Sequence, residues 1–500
     1  MRAFLIAIAT LLLIPATAGA QVYETLSIPT TDGDRLHVEI QRPATLEPVP
    51  IILTYSPYNS LGEGTLPNLA NDTLGERYVP RGYARAVADV LGTRNSSGCW
   101  DYGGAKETQS GVDLVNALAN LPWANGKVAM IGGSYDGTTA NMVASRGDDV
   151  PGLAAIVPEA AISRWYGYAY QDGVRYLGNS QHPTDEGFDT PLAFDFGIAR
   201  TPPTQVTPQL VDALADRVNP CDAADHTAHG YDSSPDYDAF WDERDYRRHA
   251  SNFRVPALIV HGWQDFNVRQ SEGIDLYTAL DNVPFKLLYL FQGAHQNPTG
   301  ERFQPLLDAF FARTLKAEEN GIENEPPVIT EGTDGFRTEA SWPPPGTTAT
   351  SVDLPPGQWT ETGTSTEETG DYYHVTEPLA SDLRIAGAPV LRAIVSVDAD
   401  HGHLTPTLVD LAPDGTATPI TRGFLNLRYR DGLSHEQPVP PNTPISATVT
   451  LSPQDTTVPA GHRLALILAG SNVVWAVPDQ PAGQTIRLEP GSRLELPAAP

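Results

Sequence analysis

The stretch VAMIGGSYDGTTANMVAS (Val128 to Ser145) places one serine between glycines, directly after an apolar run. The apolar run is typical of a buried strand, and the residues after the serine are typical of a helix packed behind it. A serine on such a strand-to-helix turn needs small neighbours, because the backbone turns sharply and holds the hydroxyl group above the sheet. Gly132, Gly133 and Gly137 surround Ser134, with Asp136 where the general G-x-S-x-G motif has its last glycine. We therefore predict that Ser134 is a nucleophile.

Two later residues complete the chemistry that a serine nucleophile requires. Asp265 ends the strand-like run PALIVHGWQD, and His295 ends the run FKLLYLFQGAH. In α/β hydrolases the chain order is serine, acid, histidine, each on a loop after a strand. We predict that His295 takes the proton of Ser134, which attacks a carbonyl carbon, and that Asp265 stabilises the imidazolium. His261 is the second candidate base, but it lies within a strand end and no acid partner follows it.

The negative charge that develops on the attacked carbonyl oxygen needs two hydrogen-bond donors. The backbone N–H of Tyr135, directly after the nucleophile, supplies one donor at a helix N-terminus. The second donor is expected from the loop TYSPYNS after an early strand, where the phenol of Tyr58 can donate. The alternative for Tyr58 is an aromatic ring that only packs beside the site.

The pattern of segments along the rest of the chain predicts two domains and an insertion. Up to about residue 320, strand-like and helix-like segments alternate, which indicates a mainly parallel sheet covered by helices on both faces. Residues 161–252 lose this pattern and are rich in Tyr, Trp, Asp and Pro. From about residue 327, short strands alternate with Gly, Pro and Asn turns. We predict an α/β-hydrolase fold (21–160 and 253–320) with an inserted, mainly helical cap (161–252), followed by an all-β jelly-roll sandwich (327–500).

Residues 1–20 have the layout of a secretory signal peptide, with a positive residue, an apolar run and a small-residue cleavage site. We expect the mature protein to begin near Gln21 and to be secreted, in an extracellular or periplasmic location. In an exported chain the two cysteines, Cys99 and Cys221, are most simply a disulfide; the alternative is two buried thiols. A formal net charge of -29 argues against nucleic acid and anionic membrane surfaces as partners.

The segment DADHGH (398–403) contains residue types that bind metals. No H-E-x-x-H motif or cysteine cluster accompanies it, so we interpret it as a polar loop. We predict no metal and no organic cofactor.

The motifs SPYN, GGSYDG and HGWQDFNV, with a histidine after the last strand and a following β-sandwich, resemble a known group of serine hydrolases. This group includes the Xaa-Pro dipeptidyl-peptidases and the cocaine esterase-like acyl hydrolases. The segments VPEAAISRWYGYAYQDG and DAFWDERDY are more similar to the dipeptidyl-peptidases. The resemblance implies that Ser134, Asp265 and His295 are the triad and that Tyr58 is the side-chain oxyanion donor. The long N-terminal helical domain of lactic-acid-bacterial members has no counterpart here, so the oligomeric state stays open.

A peptidase that cuts after a penultimate proline must hold a free α-ammonium group and enclose a pyrrolidine ring between aromatic walls. The cap segment SRWYGYAYQDG supplies the aromatic residues Trp165, Tyr166 and Tyr168, and the resemblance implies that Tyr168 lines the proline pocket. The alternative for any one of these aromatic residues is that it only packs the cap's centre. The carboxylates that are candidates for the ammonium group are Glu159, Asp172, Asp185 and Glu186.

Our main hypothesis is a secreted serine exopeptidase whose substrate is a peptide with a free N-terminus and a penultimate proline. The alternative keeps the triad but makes the substrate a small ester or amide, as in cocaine esterases and α-amino-acid ester hydrolases. A third hypothesis is a polymer-binding protein with a vestigial triad. The intact order of serine, acid and histidine argues against this third hypothesis, because a vestigial site is expected to lose a member.

Overall fold

The computed structural model describes residues 20–59, 68–69, 71–176, 234–298, 300–366, 369–476 and 482–500. Residues 1–19 of the predicted signal peptide lie outside these residues, as do Cys221, Asp185 and Glu186. The disulfide and the roles of these two carboxylates therefore stay predictions. No helix of the described part is long and apolar enough to cross a membrane.

The first unit of the fold is built on a mixed sheet of ten strands. The strands up to the cap segment are β1 (Gln21–Pro29), β2 (Arg35–Pro43), β3 (Val49–Ser56), β4 (Ala84–Asp89), β5 (Ala124–Gly133) and β6 (Leu153–Glu159). A two-stranded ribbon follows, β7 (Tyr170–Gln171) with β8 (Val174–Arg175). The sheet then continues with β9 (Ala257–Gly262), β10 (Lys286–Phe291), β11 (Val328–Gly332) and β12 (Gly335–Glu339).

The central strands of this sheet are parallel, from β4 through β3, β5, β6, β9 and β10 to β11. β1, β2 and β12 pair antiparallel at the two ends. Every residue of β3, β4 and β9 is buried, as expected for parallel strands that are covered on both faces, and most of these residues are apolar. Because parallel strands share one carboxyl edge, the loops after β3, β5, β9 and β10 lie at the same edge of the sheet.

Helices cover both faces of this sheet. They are α1 (Thr73–Tyr78), α2 (Ala105–Ala119), α3 (Tyr135–Ala144), α4 (Trp165–Ala169), α5 (Ala239–Glu243), α6 (Ser271–Ala279) and α7 (Phe303–Lys316). Short 3-10 helices span Val79–Arg81, Gly147–Asp149, Tyr246–Asn252, Ile322–Asn324 and Leu427–Tyr429. Alternate residues of β5 divide between two cores: Val128 and Met130 pack with α2 and α3, while Ala129 and Ile131 pack with α7.

The second unit is rich in β-structure and contains two sheets around a common apolar core. Its strands are β13 (Thr348–Asp353), β14 (Gly357–Thr360), β15 (Tyr372–Val375), β16 (Leu383–Gly387), β17 (Val390–Val397), β18 (His403–Leu411), β19 (Ala417–Arg422), β20 (Leu425–Asn426), β21 (Ile445–Thr450), β22 (Gln454–Val458), β23 (Arg463–Ala469), β24 (Thr485–Leu488) and β25 (Arg493–Ala499). β15, β18, β19, β20 and β23 form the smaller sheet, and the others form the larger one.

The structure differs from the sequence analysis at the junction between the two units. The first sheet extends past the predicted boundary at residue 327, because β11 pairs parallel with β10 and β12 pairs with β11. Both strands are short and are separated by a two-residue turn, as in the following β-rich unit, so the sequence pattern alone could not assign them. In the cap segment, the described residues form the short helices α4 and α5 and the β7–β8 ribbon. A mainly helical cap and a jelly-roll connection stay predictions.

Candidate active site

Ser134 lies on a strained turn between β5 and α3. Its backbone dihedral angles are φ 59 and ψ -125, in a region that residues with side chains rarely adopt. Its N–H donates to the carbonyl oxygen of Glu159 at 2.8 Å, which fixes the turn against β6. A Cβ atom on Gly132 would overlap Asp136, and one on Gly137 would lie 2.5 Å from the carbonyl oxygen of Gly132. The glycines are therefore required by close packing around the serine.

Asp265 and His295 form a hydrogen-bonded pair at the same edge of the sheet. His295 Nδ1 lies 2.8 Å from Asp265 Oδ2. The other carboxylate oxygen accepts the backbone N–H groups of Asn267 and Val268 at 3.1 and 3.0 Å. Burial by itself would raise the pKa of Asp265, but hydrogen bonds and charge from His261 and His295 hold it below its ordinary value. An ionised Asp265 accepts a hydrogen bond from Nδ1–H, which leaves Nε2 of His295 as the basic nitrogen.

The histidine loop lies directly against the nucleophile turn. A Cβ atom on Gly133, the residue before Ser134, would lie 2.6 Å from Oδ1 of Asn297, two residues after His295. The histidine loop also contacts the acid loop, since the N–H of Gln264 donates to the carbonyl oxygen of Gly293 at 2.9 Å. The three sequence-predicted triad residues are thus on loops that touch one another.

His261, the second candidate base, is held away from this chemistry. It is buried, with an exposed fraction of 1%. Its Nε2 lies 2.8 Å from the carbonyl oxygen of Val268 and 3.5 Å from Asp265 Oδ2. His261 therefore packs behind the acid and supports the position of Asp265.

Two hydrogen-bond donors converge beside the Ser134 hydroxyl. The half-buried Tyr58 donates its hydroxyl to Ser134 Oγ at 3.3 Å. The backbone N–H of Tyr135 lies 3.3 Å from the same phenol oxygen. The rings of Tyr58 and Tyr135 pack edge to face, with centroids 6.4 Å apart. A carbonyl oxygen in this place would accept hydrogen bonds from both donors, as an oxyanion hole requires.

The predicted aromatic residues of the cap segment separate into two groups. Trp165 packs edge to face on Tyr135 and on the half-buried Tyr168, with centroid distances of 5.3 and 6.2 Å. The Tyr168 hydroxyl donates to Oδ1 of Asn267, in the loop of the acid, at 3.1 Å. These two residues therefore connect the oxyanion donors to the acid loop.

Tyr166 belongs to the interior of the cap segment. It is fully buried, and its hydroxyl donates to the carbonyl oxygen of Pro235 at 2.8 Å. Its ring stacks on Tyr170 and packs edge to face on Trp241, with centroid distances of 5.3 and 5.6 Å. Tyr166 thus has the packing role that the sequence analysis gave as the alternative.

Two of the predicted carboxylates have environments that favour the neutral form. Glu159 ends β6 beside the nucleophile turn, and burial raises its pKa to about 8. Asp172 has a positive φ of 44, and burial raises its pKa despite the charges of Arg269 and Arg164. A neutral carboxyl group attracts an ammonium group less than a carboxylate does, so Glu159, whose pKa is about 8, is not a preformed anion for the substrate amine at pH 7.

Glu272 is a buried carboxylate that the sequence analysis did not identify. Its Oε2 accepts the N–H and hydroxyl of Ser163 at 2.9 and 2.7 Å and the N–H of Arg164 at 2.8 Å. Burial opposes ionisation, but the charges of Arg247 and Arg164 and the hydrogen bonds of Ser163 lower the pKa below its ordinary value. Glu272 therefore fixes the backbone that leads into Trp165. An acidic residue beside the apolar positions of the segment that forms α6 was the signal available in the sequence.

The polar segment 398–403 contains a local pair in which His401 Nδ1 lies 2.8 Å from Asp400 Oδ1. In the described part of the chain, no group of three or more His, Cys, Asp or Glu side chains is arranged to hold a metal ion.

Comparisons with known proteins identify the family of this chain. Residues 32–297 match the family model of the X-Pro dipeptidyl-peptidases (S15 family), and residues 320–493 match that family's C-terminal non-catalytic domain. A putative Xaa-Pro dipeptidyl-peptidase from Streptomyces avermitilis is 31% identical, over 88% of this chain and 77% of the relative.

Solved structures are similar over nearly the whole chain. A CocE/NonD family hydrolase from Staphylococcus aureus has a TM-score of 0.77 at 17% identity, covering 96% of this chain and 94% of the other. An α-amino acid ester hydrolase has a TM-score of 0.74 at 20% identity, covering 98% of both chains. At these identities the likeness concerns the fold, and it confirms the α/β-hydrolase class that the sequence predicted.

Proposed function

Because the chain belongs to the X-Pro dipeptidyl-peptidase (S15) family and is a serine hydrolase, we propose that it releases Xaa-Pro dipeptides from the N-termini of peptides. The substrate is a peptide with a free N-terminus and a proline in the second position. The observation that carries the proposal is the pair Trp165 and Tyr168, which contacts the oxyanion residue Tyr135 and the loop of Asp265. These aromatic rings are suited to enclose the pyrrolidine ring next to the bond that is cut.

The reaction proceeds through an acyl-enzyme on Ser134. His295 removes the proton of Ser134 Oγ, which attacks the carbonyl carbon of the proline residue. The oxyanion accepts hydrogen bonds from the Tyr58 hydroxyl and the Tyr135 N–H, whose convergence beside Oγ supports these roles. His295 then protonates the leaving amine, and a water molecule activated by the same base hydrolyses the ester. The 2.8 Å contact between His295 and Asp265 supports the role of the acid in orienting the base.

Recognition of the free N-terminus requires a negatively charged or phenolic group on the cap side of the site. Glu159, Asp172, Asp185 and Glu186 remain the candidates. Of the two that the structure describes, both have a raised pKa. A bound ammonium group would lower that pKa, because an adjacent positive charge favours the ionised carboxylate.

The proposal includes export of the protein, on the basis of the signal-peptide layout of residues 1–20. N-terminal sequencing of the protein from the culture supernatant or periplasm of an expressing bacterium tests this. A start near Gln21 is the expected result, and a protein that keeps Met1 in the cytoplasm contradicts export.

Hydrolysis of three substrates by the purified protein tests the function. We expect Ala-Pro-p-nitroanilide to be cleaved far faster than its N-acetylated form, because acetylation removes the ammonium group. p-Nitrophenyl butyrate reports on the triad alone. The Ser134→Ala variant, which should lose several orders of magnitude in rate, controls for contaminants. Cleavage of the ester without cleavage of the dipeptide substrate would overturn the peptidase assignment and support an esterase or acylase.

A further inference from the structure

A buried carboxyl group lies behind the oxyanion donors and has no part in the triad chemistry. Glu107, on α2, has an exposed fraction of 0%. Both of its carboxyl oxygens lie 2.9 Å from the hydroxyl of Tyr135, and Oε2 also accepts the N–H of Gly103 at 2.9 Å. The Tyr135 hydroxyl in turn accepts the indole N–H of Trp100 at 2.8 Å. The side chain of the residue that follows the nucleophile is therefore fixed at its far end.

The same carboxyl group is connected to the aromatic pair of the cap segment. The carbonyl oxygen of Gly103 accepts the hydroxyl of Tyr246 at 2.7 Å, and the Tyr246 oxygen accepts the indole N–H of Trp165 at 3.0 Å. Gly103 has a φ of 78, and a Cβ atom at this position would overlap Trp165. A continuous set of hydrogen bonds thus joins Tyr135, Glu107, Gly103, Tyr246 and Trp165.

Burying this carboxyl group is costly, and an apolar side chain of the same size would not carry that cost. The cost is offset only if the hydrogen bonds that the carboxyl group makes are all satisfied, as they are here. A satisfied buried network holds its members in one arrangement. The network includes Tyr135, whose N–H is an oxyanion donor, and Trp165, one residue of the aromatic pair. It therefore fixes the positions of residues that form the site.

We propose that Glu107 is a positioning residue of the hydrolase: it holds the N–H of Tyr135 in the oxyanion hole and, through Gly103 and Tyr246, it holds Trp165. This inference rests on the proposed function for the role of Trp165, but its oxyanion part needs only a serine hydrolase. An ester substrate tests the oxyanion role of Glu107, and a proline substrate tests its effect on Trp165.

The charge state of Glu107 adds a pH-dependent signature. The ionisable groups that face Glu107 come from several elements: Tyr135 on α3, Tyr55 on β3, Asp101 in the loop before α2, and Arg244 and Tyr246 after α5. Burial raises the pKa of Glu107 to about 8, against the hydrogen bonds from Gly103 and Tyr135. Ionisation above that pH puts a negative charge behind the oxyanion hole. We expect kcat of the wild type to fall above about pH 8 and the Glu107→Gln variant to lose this fall.

The experiment compares Glu107→Gln, Tyr135→Phe and the double variant. Active sites are counted with a serine-reactive fluorophosphonate probe, and kcat and KM are measured on p-nitrophenyl butyrate and Ala-Pro-p-nitroanilide. We expect each single variant to lose about tenfold in kcat per active site on the ester, less than the ~100-fold or more lost with a whole oxyanion donor. The double variant should lose no more than either single variant, because the two residues act as one unit.

The matched control is Tyr78→Phe. Tyr78 is also buried and donates its hydroxyl to a carboxylate, Asp308, at 2.8 Å, but it lies in the core on the other face of the sheet. We expect Tyr78→Phe to lower the unfolding temperature and to leave kcat per active site unchanged. The proposal is overturned if Tyr135→Phe or Glu107→Gln behaves like this control, or if the losses of the single variants add in the double variant.

The proline substrate gives the second arm of the test. We expect Glu107→Gln to raise KM for Ala-Pro-p-nitroanilide as well, because Trp165 loses its connection to the network. If the wild type does not cleave this substrate, the proposed function fails, while the ester arm still decides the oxyanion role of Glu107. If Glu107→Gln does not fold, Tyr135→Phe alone decides it, since that variant removes a single oxygen atom.

Discussion

Ser134, the proposed nucleophile, has a strained backbone. Its φ of 59 and ψ of -125 are imposed by the turn from β5 into α3, where its N–H is fixed to the carbonyl oxygen of Glu159. Strained residues of this kind persist only where the surrounding structure determines them, and they cluster at active sites. The hydroxyl group of Ser134 therefore projects from the turn toward Tyr58. The strained dihedral angles of Ser134 lower the stability of the folded protein.

This strain gives a prediction for two inactive variants. Ser134→Ala keeps the strained backbone, whereas Ser134→Gly relieves it, since glycine adopts positive φ without a steric penalty. The strain is about 1 to 3 kcal/mol, and glycine's greater unfolded-state entropy offsets about 0.5 to 1 kcal/mol of the gain. We expect Ser134→Gly to be about 1 kcal/mol more stable than Ser134→Ala in urea titrations. Equal or lower stability of the glycine variant would contradict a strained turn.

At the scale of single elements, α6 positions the aromatic segment through Glu272. Its carboxylate accepts three hydrogen bonds from Ser163 and Arg164, and a Cβ atom on Gly167 would overlap it. We expect Glu272→Gln to cost about 1 to 3 kcal/mol in stability at pH 7. We also expect it to raise KM for the proline substrate, with a smaller change in kcat for the ester.

The pH dependence of this loss has a definite sign. The pKa of Glu272 is lowered by folding, so its stabilising contribution is complete above the ordinary carboxyl pKa and is lost as the pH falls through the lower, folded value. The difference in unfolding free energy between wild type and Glu272→Gln should therefore shrink on acidification below about pH 4. A difference that stays constant from pH 7 to pH 3 would show that ionised Glu272 does not stabilise the fold.

The loops of the proposed triad could be predicted from the sequence, whereas the buried carboxyl groups that support them could not. The strand, turn and helix around Ser134 were predictable because glycine spacing and apolar periodicity are local signals. The loops of Asp265 and His295 were predictable because parallel strands share one carboxyl edge. The roles of Glu107 and Glu272 were not, since a carboxyl group on a helix gains its partners only from distant segments. The pairing of β11 with the first sheet was not predictable for a similar reason, because its partner β10 ends more than thirty residues earlier.

At the scale of the whole molecule, a buried ion pair of the β-rich unit also bonds to the first sheet. Arg384 on β16 makes two hydrogen bonds of 2.9 Å to Asp455 on β22, and a third of 2.9 Å to Glu339 on β12 of the first sheet. Thr330 on β11 donates its hydroxyl to Asp455 at 2.9 Å. The charged groups of the β-rich unit are thus satisfied partly by the hydrolase sheet, which makes the stability of each unit depend on the other.

Removing one member of this pair should uncouple the units. Arg384→Met leaves Asp455 buried without its cation, and breaking a buried pair in this way costs about 3 to 5 kcal/mol. We expect urea unfolding of the variant to occur earlier, with the β-rich unit separating from the hydrolase sheet in a distinct transition. Adding Asp455→Leu should restore part of the lost stability, because it removes the unpaired buried charge. The restoration is incomplete because the Thr330 hydroxyl and Glu339 then lack their partners. If Arg384→Met unfolds in a single transition at the wild-type urea concentration, the ion pair contributes nothing to the junction and apolar packing alone holds the units together.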